Sequence, residues 1–183
     1  MLGAPLDLIM VRKIGIPGHP ELAVAAIIDG QDPEVVVNER VCTLAGVRRQ
    51  YIETMARQEL AEIERRAGLY LKGRPRVPIA GRTAIIVDDG IATGTTMRAV
   101  INALRRKKPK SLVLAVPVAP RETVEALRGQ ADDIICLESP DPFVAVGVHY
   151  DDFRQVSDAE VIELIEGTRA AEKDDRAKVL DQV

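Results

Sequence analysis

Tryptophan is absent from this 183-residue chain, and all aromatic residues together make up only 3% of it. A core must then be aliphatic, which suits a parallel sheet rich in valine and isoleucine. Cysteine is nearly missing as well. Cys42 and Cys136 lie far apart, without the close Cys or His spacing of a zinc site. Free thiols in a reducing compartment are the expected state. No apolar run is long enough to span a membrane. The first ten residues carry Asp7 and no leading positive charge, so they do not read as a signal peptide. Nor is there an excess of cations: 25 Lys and Arg face 28 Asp and Glu, for a formal charge of −3. That balance argues against broad electrostatic binding to nucleic acid. A cytoplasmic protein with no membrane or nucleic-acid partner is expected, and no internal repeat is visible.

What is present is enough for one domain with a real core, with a hydrophobic share of 46%. The chain centres on Ile85-Ile86-Val87-Asp88-Asp89-Gly90-Ile91-Ala92-Thr93-Gly94-Thr95-Thr96. Residues 83–87 read as a buried parallel strand. Met97, Val100, Ile101 and Leu104 recur at helical spacing and predict a helix packed on that strand. The loop between them therefore lies at a strand's carboxyl end and a helix's amino end, where open α/β sheets bind ligands. Successive backbone N–H groups from Ala92 to Thr96 suit a phosphate, and Gly94 permits a close approach. Asp88 and Asp89 cannot favourably share that phosphate. They suit sugar hydroxyls beside it, or a hydrated cation. A strand ending in two Asp residues also serves as a plain turn or helix cap, and such pairs occur in P-loop ATPases and phospho-acceptor domains. The ATPase reading needs a G-x-x-x-x-G-K-[ST] loop, and the chain has none.

The remaining segments fit an α/β chain. Residues 6–11 predict a first parallel strand, ending in Arg12-Lys13 and a loop of turn residues that could face the same crevice. Residues 21–28 and 34–37 predict a hairpin across residues 29–33, while 41–47 is ambiguous. Residues 50–66 predict an amphipathic helix with Ile52, Met55, Ala56, Leu60 and Ile63 on one face, stopped near Gly68. Residues 69–80 read as a solvated linker. Arg105-Arg106-Lys107-Lys108 complements a helix carboxyl end, and Pro109 closes that helix. Strands over 111–116 and 133–137 flank a short helix opened by Pro120, giving a β-α-β-α-β order and a doubly wound sheet. Residues 143–148 predict one more strand. His149 reads as structural or exposed. Tyr150 and Phe153 either pack on the core or stack on a base. Ser157 and Glu160 form a capping box for a last helix. The domain is placed at residues 1–167, with 168–183 a charged tail, helical or disordered.

The stretch from Ile86 to Thr96 resembles the phosphoribosyl-diphosphate (PRPP) binding motif of type I phosphoribosyltransferases. Further pieces are similar to an uncharacterised bacterial branch: Val11-Arg12-Lys13-Ile14-Gly15 with Pro17-Gly18-His19-Pro20-Glu21, then Ala115-Val116-Pro117-Val118-Ala119-Pro120, and Phe143-Val144-Ala145-Val146-Gly147 with Tyr150 and Phe153. The resemblance covers about residues 5–167. It implies a mostly parallel, doubly wound α/β sheet flanked by helices, with a small β-hairpin insertion. It implies an enzyme moving the 5-phosphoribosyl group from PRPP to a small-molecule nitrogenous base, releasing diphosphate. Asp88, Asp89, Gly90, Ala92, Thr93, Gly94, Thr95 and Thr96 would bind PRPP. Asp88 and Asp89, with Arg12 and Lys13 near the diphosphate, would act in the reaction. Mg2+ would arrive with PRPP rather than on direct protein ligands. Family members usually carry an amino-terminal helix and strand, and a diphosphate loop, often Arg-Gly-Gly. Only five residues precede Leu6 and no such loop is present. Either the chain is truncated or part of the diphosphate site is lost, and the edge so exposed would be covered in a homodimer. A non-catalytic PRPP-binding regulator, or a remnant kept for dimerisation, are the alternatives.

Overall fold

In a computed structural model, the structure describes residues 4–29 and 33–168. Two three-stranded sheets make its frame. The first is an antiparallel meander of β1 (Val11–Ile16), β2 (His19–Ile28) and β3 (Glu34–Val37). The second is parallel, with β4 (Thr83–Val87), β5 (Ser111–Val118) and β6 (Asp133–Glu138) in that order. Helices α1 (Glu39–Ala45), α2 (Arg49–Leu71), α3 (Thr95–Arg106) and α4 (Arg121–Leu127) flank them. A 3-10 turn covers Val146–His149, and residues 158–168 form a last helix, α5.

The helices form where their caps and apolar spacing direct. Asn38 accepts from the Val41 amide at the start of α1, and Gly46 closes that helix in the left-handed conformation. Ile52, Ala56 and Ile63 of α2 bury against Ile14, Val24 and Ile27 of the antiparallel sheet. On α3, Met97, Val100, Ile101 and Leu104 face the parallel sheet and meet Leu112, Leu114 and Val116. Ala99 and Ala103, on the opposite side of α3, meet Ile28, Ala26 and Val11. Small residues on that side let the antiparallel sheet approach closely. The layers are thus parallel sheet, α3 with α4, antiparallel sheet, then α1 with α2. Ser157 and Glu160 cap α5 reciprocally, through Ser157 N to Glu160 Oε2 at 2.9 Å and Glu160 N to Ser157 Oγ at 3.3 Å.

The α/β class stands, with mixed sheets and flanking helices, and so do the β-α-β-α-β order and the hairpin. The parallel part is three strands rather than most of the sheet, and both α3 and α4 pack on one of its faces. Several element expectations are corrected. Residues 4–10 have no regular structure, and the strand begins at Val11 and pairs antiparallel with β2. Alternation explains this: Arg12 and Ile14 turn to α2 while Val11 and Lys13 turn away, as a half-buried ladder requires. Helix α2 runs through Gly68 to Leu71, ending where Lys72 takes a φ of 44°. Residues 143–148 form no strand. Ring atoms of Phe153 lie against Gly147 and hold the segment as a 3-10 turn. Residues 72–80 are not a plain solvated linker. Arg76 ion-pairs with Asp7 and with the buried Asp29, while Val77 N donates to Asp7 at 2.9 Å. A buried carboxylate needs such a partner, and sequence alone does not pair residues so far apart. The loop residues 30–32 and the tail residues 169–183 lie outside the described residues.

Candidate functional site

Strand β4 delivers Asp88 and Asp89 at the rim of the parallel sheet. Both are exposed. Asp88 Oδ1 accepts the Asp89 amide at 3.1 Å. Among the described residues no Lys, Arg or His forms an ion pair with either acid. Burial of its carboxyl on one side, then the charge of Asp89, push the Asp88 pKa above its ordinary value. The acids are therefore held next to each other without compensation, an arrangement that invites hydroxyl donors or a cation.

The turn is tethered at successive points. Tyr150 donates its hydroxyl to the Asp89 carbonyl at 2.6 Å. The Ile91 amide donates to Val118 O at 3.0 Å, and the Thr123 hydroxyl donates to Ala92 O at 2.7 Å. Ile91 is buried, while Ala92 and Thr93 face solvent. Gly94 is the N-cap of α3, with a φ of 72°, a left-handed value that favours glycine. Having no side chain, it leaves the first-turn amides of α3 without a capping acceptor. Thr93 and Thr95 place their hydroxyl oxygens 3.4 Å apart at this opening. The helix dipole adds partial positive charge there. Uncapped amides and two hydroxyls beside a pair of acids can take an anion and a polyol at once.

Two clefts elsewhere are lined by Ile16, Pro17, Gly46 and Tyr51, and by Arg121, Glu125, Arg128 and Cys136. Neither includes the turn, which stands open at the surface.

The structure brings together Asp88, Asp89, Gly90, Ala92, Thr93, Gly94, Thr95 and Thr96. It separates Arg12 from Lys13. They lie inside β1 rather than at the end of a parallel strand, and alternation sends them to opposite faces. Arg12 Nε meets Glu59 Oε2 of α2 at 2.6 Å. Lys13 is exposed on the other face, the one where Val11 packs beside Ala99 and Ala103 of α3. The cations of residues 105–106 have structural partners, Asp132 for Arg105 and Glu34 for Arg106. The described residues hold no group of three or more His, Cys, Asp or Glu able to bind a metal. Two exposed carboxylates alone fit a hydrated ion shared with a ligand better than a resident one. Sequence reasoning missed Thr123, and it named Tyr150 and Val146 without placing either against this turn. Thr123 sits one turn after Pro120, which marks a helix start but not its contact across 31 residues.

Comparison with known proteins is consistent with this geometry. The family model described as a phosphoribosyl transferase domain matches residues 35–152. Two Mycobacterium tuberculosis proteins, Rv0571c and MT0597, named as candidate phosphoribosyl transferases, are each 42% identical over 165 residues. That alignment covers 90% of this chain but 37% of theirs, so the chain spans well under half their length. The crystal structure of TT1426 from Thermus thermophilus superposes with a TM-score of 0.71 at 36% identity, covering 90% of this chain and 76% of that one.

Proposed function

The chain belongs to the phosphoribosyl transferase domain family, and on that premise we propose that it transfers the 5-phosphoribosyl group from PRPP to a nitrogenous base, releasing diphosphate. The observation that carries this reading is the open turn, where two acids without counter-ions among the described residues run into an uncapped helix start. Amides and hydroxyls from Thr93 to Thr96 would hold the 5-phosphate. Asp88 and Asp89 would accept hydrogen bonds from the two ribose hydroxyls. Each bond to a charged acceptor is worth about 1.5–3 kcal/mol. Loss of diphosphate leaves positive charge on the ribose ring, in a transition state of oxocarbenium character. The acids, bound to the ribose hydroxyls, would lie close to that developing charge and favour it electrostatically. The nitrogen of the base forms the new bond to the anomeric carbon as the bond to diphosphate breaks, and its proton passes to the departing diphosphate or to water. Magnesium carried with PRPP would neutralise diphosphate charge, and the carboxylates could reach its waters. Of the two cations of β1, Lys13 is the one without an ion pair among the described residues, and it is assigned to the diphosphate.

A second reading, a PRPP-binding regulator without catalysis, has one observation in its favour. Glu59 engages Arg12 and leaves fewer cations for a leaving diphosphate. Calorimetric titration with PRPP and magnesium tests both. The parent chain should bind, and the double variant Asp88→Asn/Asp89→Asn should bind at least about tenfold more weakly. Absence of binding to the parent chain overturns both readings. Binding with no diphosphate release across a panel of purine and pyrimidine bases leaves the regulator.

A further inference from the structure

We propose that Thr123 is a positioning residue of this site: its hydroxyl turns the peptide between Ala92 and Thr93 so that the Thr93 amide faces the bound phosphate. The inference rests on the reading above and deepens it.

The starting point is a buried polar side chain on an element outside the motif. Thr123 is 6% exposed on α4. A helical threonine hydroxyl commonly bonds a carbonyl of its own preceding turn. Here it leaves its helix and donates to Ala92 O at 2.7 Å. Its methyl carbon, Cγ2, lies 3.0 Å from where a Cβ on Gly94 would sit. One side chain therefore touches the loop on both sides of Thr93.

Peptide planarity turns this contact into an orientation. In a trans peptide the C=O of one residue and the N–H of the next point in opposite directions. Drawing the Ala92 carbonyl inward to Thr123 must aim the Thr93 N–H outward, to the open side where Thr93 and Thr95 present their hydroxyls. Two residues earlier the rule runs in reverse. The Ile91 amide is drawn inward to Val118 O at 3.0 Å, so the Gly90 carbonyl faces out. Without the Thr123 hydroxyl, the peptide between 92 and 93 is free to rotate its carbonyl to water. An outward carbonyl would oppose an anion instead of greeting it. The loop amide is thus set before ligand arrives, which avoids an ordering cost on binding.

The hydroxyl and the methyl can be tested separately. Thr123→Val keeps the shape and removes the donor. Thr123→Ser keeps the donor and removes the methyl. Ribose 5-phosphate and PRPP are both titrated calorimetrically, since both carry the 5-phosphate. Thr123→Val should weaken both by the same factor, about tenfold, while Thr123→Ser stays within about twofold of the parent. If the valine variant does not fold, Thr123→Ala against Thr123→Ser gives the same contrast. Binding by the donor-free variant within about twofold of the parent overturns this inference and leaves the function standing. Equal weakening in the serine variant also overturns it, because packing would then carry the effect. A parent chain that binds neither ligand overturns the function and this inference together.

Discussion

At Asp88 the requirements of folding and of the proposed binding oppose each other. In the ligand-free protein its carboxyl is crowded by the protein on one side and by Asp89 on the other, and both raise its pKa. Between the unfolded pKa and this raised value the native state holds more protons than the unfolded one, so stability falls as pH rises through that window. Above it the full penalty remains. Asp88→Asn should therefore raise Tm at pH 7 while PRPP binding weakens. The gain should be below about 1 kcal/mol, because solvent still reaches the carboxyl, or no more than about 2–4 °C for a chain of this size. A thermal scan beside the titration checks it, and an unchanged or lower Tm would mean the acid carries no strain. The sequence disclosed these acids fully, since adjacent carboxylates after an apolar strand need no long-range information. It disclosed the Arg12-Lys13 pair but not its fate. Whether adjacent cations act together depends on whether they end a strand or lie within one, and in β1 alternation separates them.

The element that shapes the turn from outside is the segment from Val146 to Phe153. A Cβ on Gly90 would lie 2.7 Å from Val146 Cγ1 and 2.9 Å from Val118 Cγ1. The 3-10 turn thus presses directly on the motif, while Tyr150 holds the neighbouring carbonyl. Gly90→Ala should cost about 1–3 kcal/mol by overpacking. Adding Val146→Ala should recover part of that loss, since the two positions touch. Chemical denaturation of the single and double variants measures both, and additive losses would separate the two residues. This contact was not legible beforehand. The Val-Ala-Val run at 144–146 has the composition of a strand, and only the Phe153 ring lying on Gly147 shows why it folds as a 3-10 turn. Helices α2 and α3 were legible because their apolar faces repeat over several turns. The end of α2 was not, because an interior Gly costs only about 1 kcal/mol and a long packed helix tolerates it.

Over the described residues, helix α3 packs on both sheets. Composition and periodicity gave the α/β class, yet the layer order rests on contacts no local pattern encodes. Ala99 and Ala103 look like ordinary helix formers in sequence. In the structure they are the seat of the antiparallel sheet, while Ile101 and Leu104 on the opposite side seat the parallel one. Arg76 likewise ties the segment before β1 to the end of β2 through Asp7 and Asp29.

Helix α3 is thus a beam common to two rooms, and the ligand would sit at its head. Anything that steadies the beam's first turn steadies both rooms together. Calorimetry should show one melting event for the ligand-free chain, displaced upward as a unit by ribose 5-phosphate, with about 2.7 kcal/mol gained at about a hundred times Kd. A trace that splits on ligand addition, one half climbing and the other staying put, would mean the beam does not carry the load across.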